Sequence, residues 1–182
     1  MKYRILAILL SLLLSSCAQA PPTKEQLALM SVEEINEQAV KLWKDGRYSD
    51  PKLAIEYADA ALVKDPKYGR AYYTKGFAYY NLKEYDLSID NFSKAIEIDP
   101  HIQESYNGRG WVYLEQKQYK NAINDFSKSI EIDNNYALPV NNRGYAYLQI
   151  NDLQKACIDL KRACDLGSCS MYRNAQKENK CK

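Results

Sequence analysis

The sequence predicts an all-α protein, a right-handed α-solenoid of about four helical hairpins followed by a C-terminal capping helix. Three glycines, Gly76, Gly110 and Gly144, recur at an interval of 34 residues. Apolar and small residues around them follow helical spacing, and the second half of each unit repeats at the same interval. One such unit cannot bury its own apolar face, so neighbouring units must stack.

The segment around each glycine keeps the same order of residue types. Residues 75–79 read Lys-Gly-Phe-Ala-Tyr, residues 109–113 read Arg-Gly-Trp-Val-Tyr, and residues 143–147 read Arg-Gly-Tyr-Ala-Tyr. Glycine inside a helix costs about 1 kcal/mol relative to alanine, so its recurrence indicates close helix packing. The pattern resembles the tetratricopeptide repeat, whose period is about 34 residues. The resemblance implies a surface that binds another protein rather than a catalytic centre.

A weaker copy precedes these three. Its register fits if about three residues are inserted around Pro51, with the turn at residues 46–48 and Trp43 at the end of the first helix. We therefore expect four units and a cap, with the bounds 32–68, 69–102, 103–136, 137–170 and 171–182.

The N-terminus has the pattern of an export signal. Lys2 and Arg4 precede an almost uninterrupted apolar run at residues 5–14, which is too short to span a bilayer core of about 30 Å. The run ends in Leu-Ser-Ser followed by Cys17, which resembles the lipobox of bacterial lipoproteins. The resemblance implies that residues 1–16 are removed and that Cys17 is acylated. The alternative is an ordinary signal peptide, cleaved after residues 18–20.

The lipobox resemblance also implies a location. We expect residues 17–31 to be a lipidated tether, and Ala18 after the cysteine favours the outer membrane, facing the periplasm, in a host with two membranes. Removal of residues 1–16 leaves equal numbers of basic and acidic residues. A neutral chain gives no reason to expect a nucleic-acid partner.

Four further cysteines, Cys157, Cys164, Cys169 and Cys181, all lie near the C-terminus. An even number in an exported chain indicates disulfides. In an antiparallel hairpin formed by the last long helix and the cap, the nested pairing of Cys164 with Cys169 and Cys157 with Cys181 is preferred among three possibilities. Their spacing does not match a zinc site, so no metal is expected.

Two arginines are expected to form ion pairs between the helices of a unit. Arg109 and Arg143 each precede an aspartate, Asp125 and Asp159, by sixteen residues. In the second unit the equivalent pair is Lys75 with Asn91. These pairs are interpreted as structural.

The family resemblance implies that the first helix of each unit lines a concave face. The residues expected there, called the predicted groove, are Asn36, Trp43, Tyr73, Phe77, Tyr80, Asn107, Trp111, Asn141 and Tyr145. Asparagine can bond to a peptide backbone whatever side chains the guest carries, and large rings supply anchor pockets. The alternative is that the rings contact neighbouring helices and the amides are only hydrated.

Several other activities find no support in the sequence. The carboxylate clamp of chaperone-binding repeats needs basic residues on successive first helices, and only Arg70 and Lys44 lie near the predicted groove. No phosphate loop, serine elbow or metalloprotease motif occurs, and the single histidine, His101, is expected to be exposed in a turn. We expect neither enzymatic activity nor a cofactor.

The sequence as a whole predicts a membrane-tethered adaptor that binds a protein or peptide in the predicted groove, as part of an envelope or pilus assembly. Two alternatives remain open. The protein could be a self-associating structural lipoprotein, or a module that binds glycan strands, because rings and amides also suit sugars.

Overall fold

The structure, a computed structural model, describes residues 21–181, so Cys17 and the signal segment lie outside the described residues. It confirms the all-α fold class, with helices in consecutive packed pairs. The described residues belong to two units, residues 21–30 and 31–181. In the described part of the first unit, helix α1 (Lys24–Leu29) begins at a capping box, in which the side chains of Thr23 and Gln26 each bond to the other's backbone N–H.

The second unit contains four helical hairpins and a short final helix. The first helices of the hairpins are α2 (Val32–Lys41), α4 (Gly69–Asn81), α6 (Gln103–Glu115) and α8 (Ala137–Gln149). The second helices are α3 (Pro51–Lys64), α5 (Tyr85–Ile98), α7 (Tyr119–Ile132) and α9 (Leu153–Asp165), and α10 (Ser170–Lys177) follows. Each pair lies inside one of the four ranges expected from the sequence.

Three of the hairpins turn in the same way. Lys83, Lys117 and Asn151 each adopt a left-handed backbone conformation directly after the first helix, with φ of 62°, 59° and 60°. This conformation ends a helix within a few residues and reverses the chain. The connections are therefore short, and the two helices of each hairpin pack along their length.

The first hairpin differs, and here the sequence prediction was wrong. Helix α2 ends at Lys41, and a two-stranded antiparallel ribbon follows, formed by β1 (Trp43–Lys44) and β2 (Arg47–Tyr48). Trp43 thus lies on a strand and not on the first helix. Asp45 and Gly46 form the turn with positive φ, because Asp-Gly strongly favours a two-residue hairpin loop. The extra residues lie in this ribbon and not around Pro51, which occupies the first turn of α3.

Close helix packing explains the recurring glycines. The ring of Phe92 is fully buried between Gly76 and Gly108. A Cβ atom on Gly76 would lie 2.7 Å from this ring, and one on Gly108 would lie 2.6 Å from it. Gly110 and Gly144 lie equally close to Phe126 and Leu160. The glycines are required by tight packing between helices rather than by an unusual backbone conformation.

Both predicted arginine pairs are confirmed, and the aspartate of each is buried. Arg109 donates two hydrogen bonds of 2.8 Å to Asp125 and one of 2.9 Å to Ser93 of the preceding hairpin. Arg143 contacts Asp159 and Ser127 in the same way. Burial lowers the pKa of Arg109, but the hydrogen bonds and charge of Asp125 outweigh this effect and raise the pKa overall. Each arginine therefore links two consecutive hairpins.

The equivalent pair in the second hairpin was predicted wrongly. Lys75 forms no hydrogen bond with Asn91, whose amide donates to the carbonyl of Leu87. Instead, Lys75 Nζ lies 2.7 Å from Asp59 Oδ1 of the first hairpin. Asp59 precedes Lys75 by sixteen residues, as Ser93 precedes Arg109, so the lysine pairs towards the preceding hairpin only.

Two disulfides fasten the C-terminal end, in the nested arrangement expected from the sequence. One joins Cys164 to Cys169 across the turn before α10, and the other joins Cys157 of α9 to Cys181 beyond α10. Gly167 has a φ of 99° in the turn. Ala175 of α10 and Cys181 are buried against Leu160. An eight-residue helix is unstable alone, and the disulfides hold it on the last hairpin.

Candidate functional site

The predicted groove consists of residues from four successive hairpins, and the structure shows how these residues contact one another. Residues from the first two hairpins pack mainly against each other, Asn107 and Trp111 of α6 form hydrogen bonds to neighbouring hairpins, and Tyr145 of α8 is exposed. The Asn36 side chain is half-buried and forms no hydrogen bond within residues 21–181.

Aromatic rings from the first two hairpins form one continuous cluster. The ring of Phe77 lies 5.1 Å from Trp43, 5.1 Å from Tyr73 and 5.0 Å from Phe92, in edge-to-face geometry each time. Trp43 also contacts Tyr48 of the ribbon at 4.9 Å. Burial raises the pKa of Tyr73 above its ordinary value. In this half, the rings contact neighbouring elements, as the alternative interpretation expected.

A hydrogen bond joins the second and third hairpins beside this cluster. Trp111 Nε1 donates to the Tyr80 hydroxyl at 2.7 Å. The Tyr80 hydroxyl in turn lies 3.5 Å from a carboxylate oxygen of Glu115. Burial raises the pKa of Tyr80, whereas its hydrogen bond with Trp111 acts in the opposite direction. Trp111 is therefore a positioned, half-buried residue and its polar atom is already occupied.

Three amides follow on α6 and α8. Asn142 Nδ2 donates to Asn107 Oδ1 at 3.1 Å, which links the first helices of the third and fourth hairpins. Asn141 Oδ1 is buried and has no hydrogen-bond partner within the described residues. Asn142 was not among the residues predicted for the groove, because a residue one position after Asn141 points to a different face of the helix.

Helix α8 carries the accessible part of the predicted groove. Tyr145 is 37% exposed and Leu138 is 50% exposed. Leu138, Asn141 and Tyr145 lie three and four residues apart, on one face of the helix. Leu138 was missed by the sequence analysis, although its spacing from Asn141 could have identified it. Tyr145 occupies the repeat position of Trp111, and Leu114 occupies that of Tyr80. Because leucine has no polar side-chain atom, Tyr145 lacks the hydrogen-bond partner that Trp111 has in Tyr80.

The described residues contain neither a cluster of metal ligands nor a membrane-spanning helix. No group of three or more His, Cys, Asp or Glu side chains in this part of the chain could hold a metal ion. His101 is exposed. Among residues 21–181, the structure contains no helix of the length and apolar character required to cross a membrane.

Solved structures with the same fold include two of MamA. A crystal structure of MamA is 23% identical, with a TM-score of 0.66, and the match covers 80% of this chain and 81% of that one. The MamA fragment from residue 41 to the end, from Desulfovibrio magneticus RS-1, is 20% identical with a TM-score of 0.66, covering 82% and 85%. No curated protein sequence matches the chain.

A third similar structure contains a bound peptide. The first tetratricopeptide domain of Spaghetti (RPAP3), bound to the HSP90 peptide SRMEEVD, is 22% identical with a TM-score of 0.59, covering 63% of this chain and 95% of that one. Family models described as tetratricopeptide repeat match residues 69–102, 104–136 and 140–166. These residues make up the three hairpins whose helices contain the recurring glycines, and together they span half of the sequence. The chain therefore belongs to the tetratricopeptide repeat family.

Proposed function

We propose that this protein is a membrane-tethered adaptor that binds a segment of a protein partner along the predicted groove, with α8 as the principal contact. The observation that carries the proposal is the stripe of Leu138, Asn141 and Tyr145 on α8, in which both apolar side chains are exposed and the amide oxygen between them has no hydrogen-bond partner within the described residues. Exposed apolar side chains with an unpaired amide between them suit a peptide. The peptide-bound RPAP3 domain supports this proposal, because it has the same fold.

The binding half of the proposal can be tested by crosslinking in cells. A photoreactive amino acid at Tyr145 should capture one partner, with the adduct mapped by mass spectrometry to a single segment of that partner. The matched control places the same group at Val63 of α3, which is 84% exposed and lies outside the predicted groove. The same capture from both positions would contradict binding in the groove. A peptidoglycan adduct would favour the glycan-binding alternative, and an adduct with a second copy would favour self-association.

The tethering half of the proposal concerns residues outside the described part of the chain. Removal of residues 1–16 and acylation of Cys17 would place the repeats close to the periplasmic side of an outer membrane. Several acyl chains anchor a protein stably, where one does not. Cells fed an alkyne-labelled fatty acid should label the wild-type protein and not the Cys17→Ser variant, which should also leave the membrane fraction. Labelling that persists in the variant would contradict the lipobox interpretation.

A further inference from the structure

The middle helix of the predicted groove carries unpaired negative charge. On α6, Glu104, Asn107, Trp111 and Glu115 follow one another at spacings of three and four residues and so share one face. Glu115 is exposed and Glu104 is half-buried. Within residues 21–181, no Lys or Arg side chain lies within 4.0 Å of either carboxylate.

The basic residues of α6 and α8 are already engaged elsewhere. Arg109 and Arg143 are the only basic residues of α6 and α8, and each donates to a buried aspartate and a serine. Helix α8 carries no acidic residue. On the earlier helix α4, Arg70 occupies the repeat position that Glu104 occupies on α6. The basic residues near the groove therefore lie towards its N-terminal end. The part that remains accessible is therefore acidic on α6 and apolar with amides on α8.

We infer that the occupant of the predicted groove is a basic segment of the partner, with at least one Lys or Arg opposite Glu115 of α6 and a neighbouring apolar side chain against Tyr145 and Leu138 of α8. This inference rests on the proposed function and specifies its partner. A guest cation would pair with carboxylates that have no other cation. An acidic segment would meet like charge, which disfavours a wrong partner. The buried, unpaired oxygen of Asn141 offers an acceptor to a donor from the guest once the amide turns.

The test uses the full chain in detergent micelles as bait for a phage library of random twelve-residue peptides. Because the natural partner is unidentified, the selected peptides themselves serve as probes. We expect enrichment of peptides that combine Lys or Arg with apolar residues. A Glu115→Gln change should weaken a selected peptide about three- to fivefold, and the Glu104→Gln/Glu115→Gln double variant about tenfold. The double variant should also lose most of the salt dependence of binding.

Two controls separate this inference from the proposed function. Glu97→Gln removes one exposed charge from α5, outside the predicted groove, and should leave binding unchanged. Tyr145→Ala should weaken every selected peptide. Enrichment of neutral or acidic peptides that depend on Tyr145, or equal binding by wild type and the double glutamine variant, would overturn the basic-partner inference and leave groove binding intact. A selection that yields no Tyr145-dependent peptide would contradict the proposed function itself.

Discussion

Each junction between consecutive hairpins contains a cation at the same repeat position, but the carboxylate that pairs with it differs. At the first junction the carboxylate belongs to the preceding hairpin, and at the later junctions it belongs to the cation's own hairpin. Lys75 pairs with Asp59 of the preceding hairpin, whose side chain is 55% exposed. Arg143 pairs with Asp159 of its own hairpin, whose side chain is 6% exposed. A screened surface pair contributes little, whereas a buried pair is expensive to break. The two ends of the array therefore depend on different interactions for their stability.

The same contrast extends to how each end is closed. At the N-terminal end, a β-ribbon and edge-to-face rings pack the first hairpin against the second. At the C-terminal end, a short helix is fastened by two disulfides. We infer that packing stabilises the first end, and buried charge together with covalent bonds the last.

The largest expected effect comes from removing one member of the buried pair. Asp159→Ala leaves Arg143 with only Ser127 as a side-chain partner, and should lower the free energy of unfolding by about 3 kcal/mol. Asp59→Ala, at the opposite end, should lower it by less than about 1 kcal/mol. Urea unfolding followed by far-ultraviolet circular dichroism measures both. Equal losses would show that the two junctions do not differ in the way that their burial indicates.

The second effect concerns the covalent closure. Replacing Cys157 and Cys181 together by serine should lower the free energy of unfolding by about 3 kcal/mol, because this disulfide closes the longer loop. The same replacement of Cys164 and Cys169, only five residues apart, should cost about 2 kcal/mol. Paired denaturation curves under non-reducing conditions check the order. A larger loss from the shorter loop would mean that local distortion, and not loop closure, dominates.

The third effect concerns the aromatic closure of the first hairpin. Trp43→Ala removes the ring that contacts Tyr48 and Phe77, and should lower the free energy of unfolding by about 2 kcal/mol. Val63→Ala serves as the control, because this side chain is 84% exposed in the same hairpin. A Trp43→Ala protein that unfolds like the wild type would show that the ribbon does not stabilise this end.

The smallest effect is a dependence on alkaline pH. Burial raises the pKa of Tyr73 above its ordinary value of 10.0. Because the folded state binds this proton more tightly than the unfolded state, the contribution to stability is complete below pH 10.0 and is lost as the pH rises above it. Tyr73→Phe should reduce that alkaline loss by about 1 kcal/mol or less. Thermal unfolding at neutral and alkaline pH measures the difference, and identical alkaline losses would argue against burial of this hydroxyl.

Much of the fold could be predicted because the repeat period fixes which residues are equivalent. Once Gly76, Gly110 and Gly144 were aligned, helices α4 to α9 followed. The first hairpin departed from this register because Asp45 and Gly46 favour a β-turn, a local preference that repeat alignment does not include. The pairing of Lys75 was missed for a related reason. Repeat alignment matched Lys75 with Asn91, sixteen residues after it, whereas its carboxylate partner Asp59 stands sixteen residues before it.

The candidate site was predictable in position but not in accessibility. Equivalent positions place Trp111 and Tyr145 on the same face of successive helices. Whether the polar atom of such a ring has a hydrogen-bond partner depends on the residue one hairpin earlier. That residue is Tyr80 for Trp111, which bonds to it, and for Tyr145 it is Leu114, which offers no polar side-chain atom. The binding role of the predicted groove thus remains a prediction. Within the groove, the exposed side chains of Leu138 and Tyr145 on α8 are the ones accessible to a partner.

The links made by the arginines suggest how the array could be lengthened. Residues 103–136 contain Arg109, its own Asp125 and also Ser127, which receives the next arginine. The second unit has neither the arginine nor the aspartate, and the fourth unit has Lys161 at the position of the serine. A duplicate of residues 103–136 inserted after residue 136 would therefore meet the correct partners on both sides. This segment is a self-compatible module, from which longer versions of the protein could be assembled in tandem.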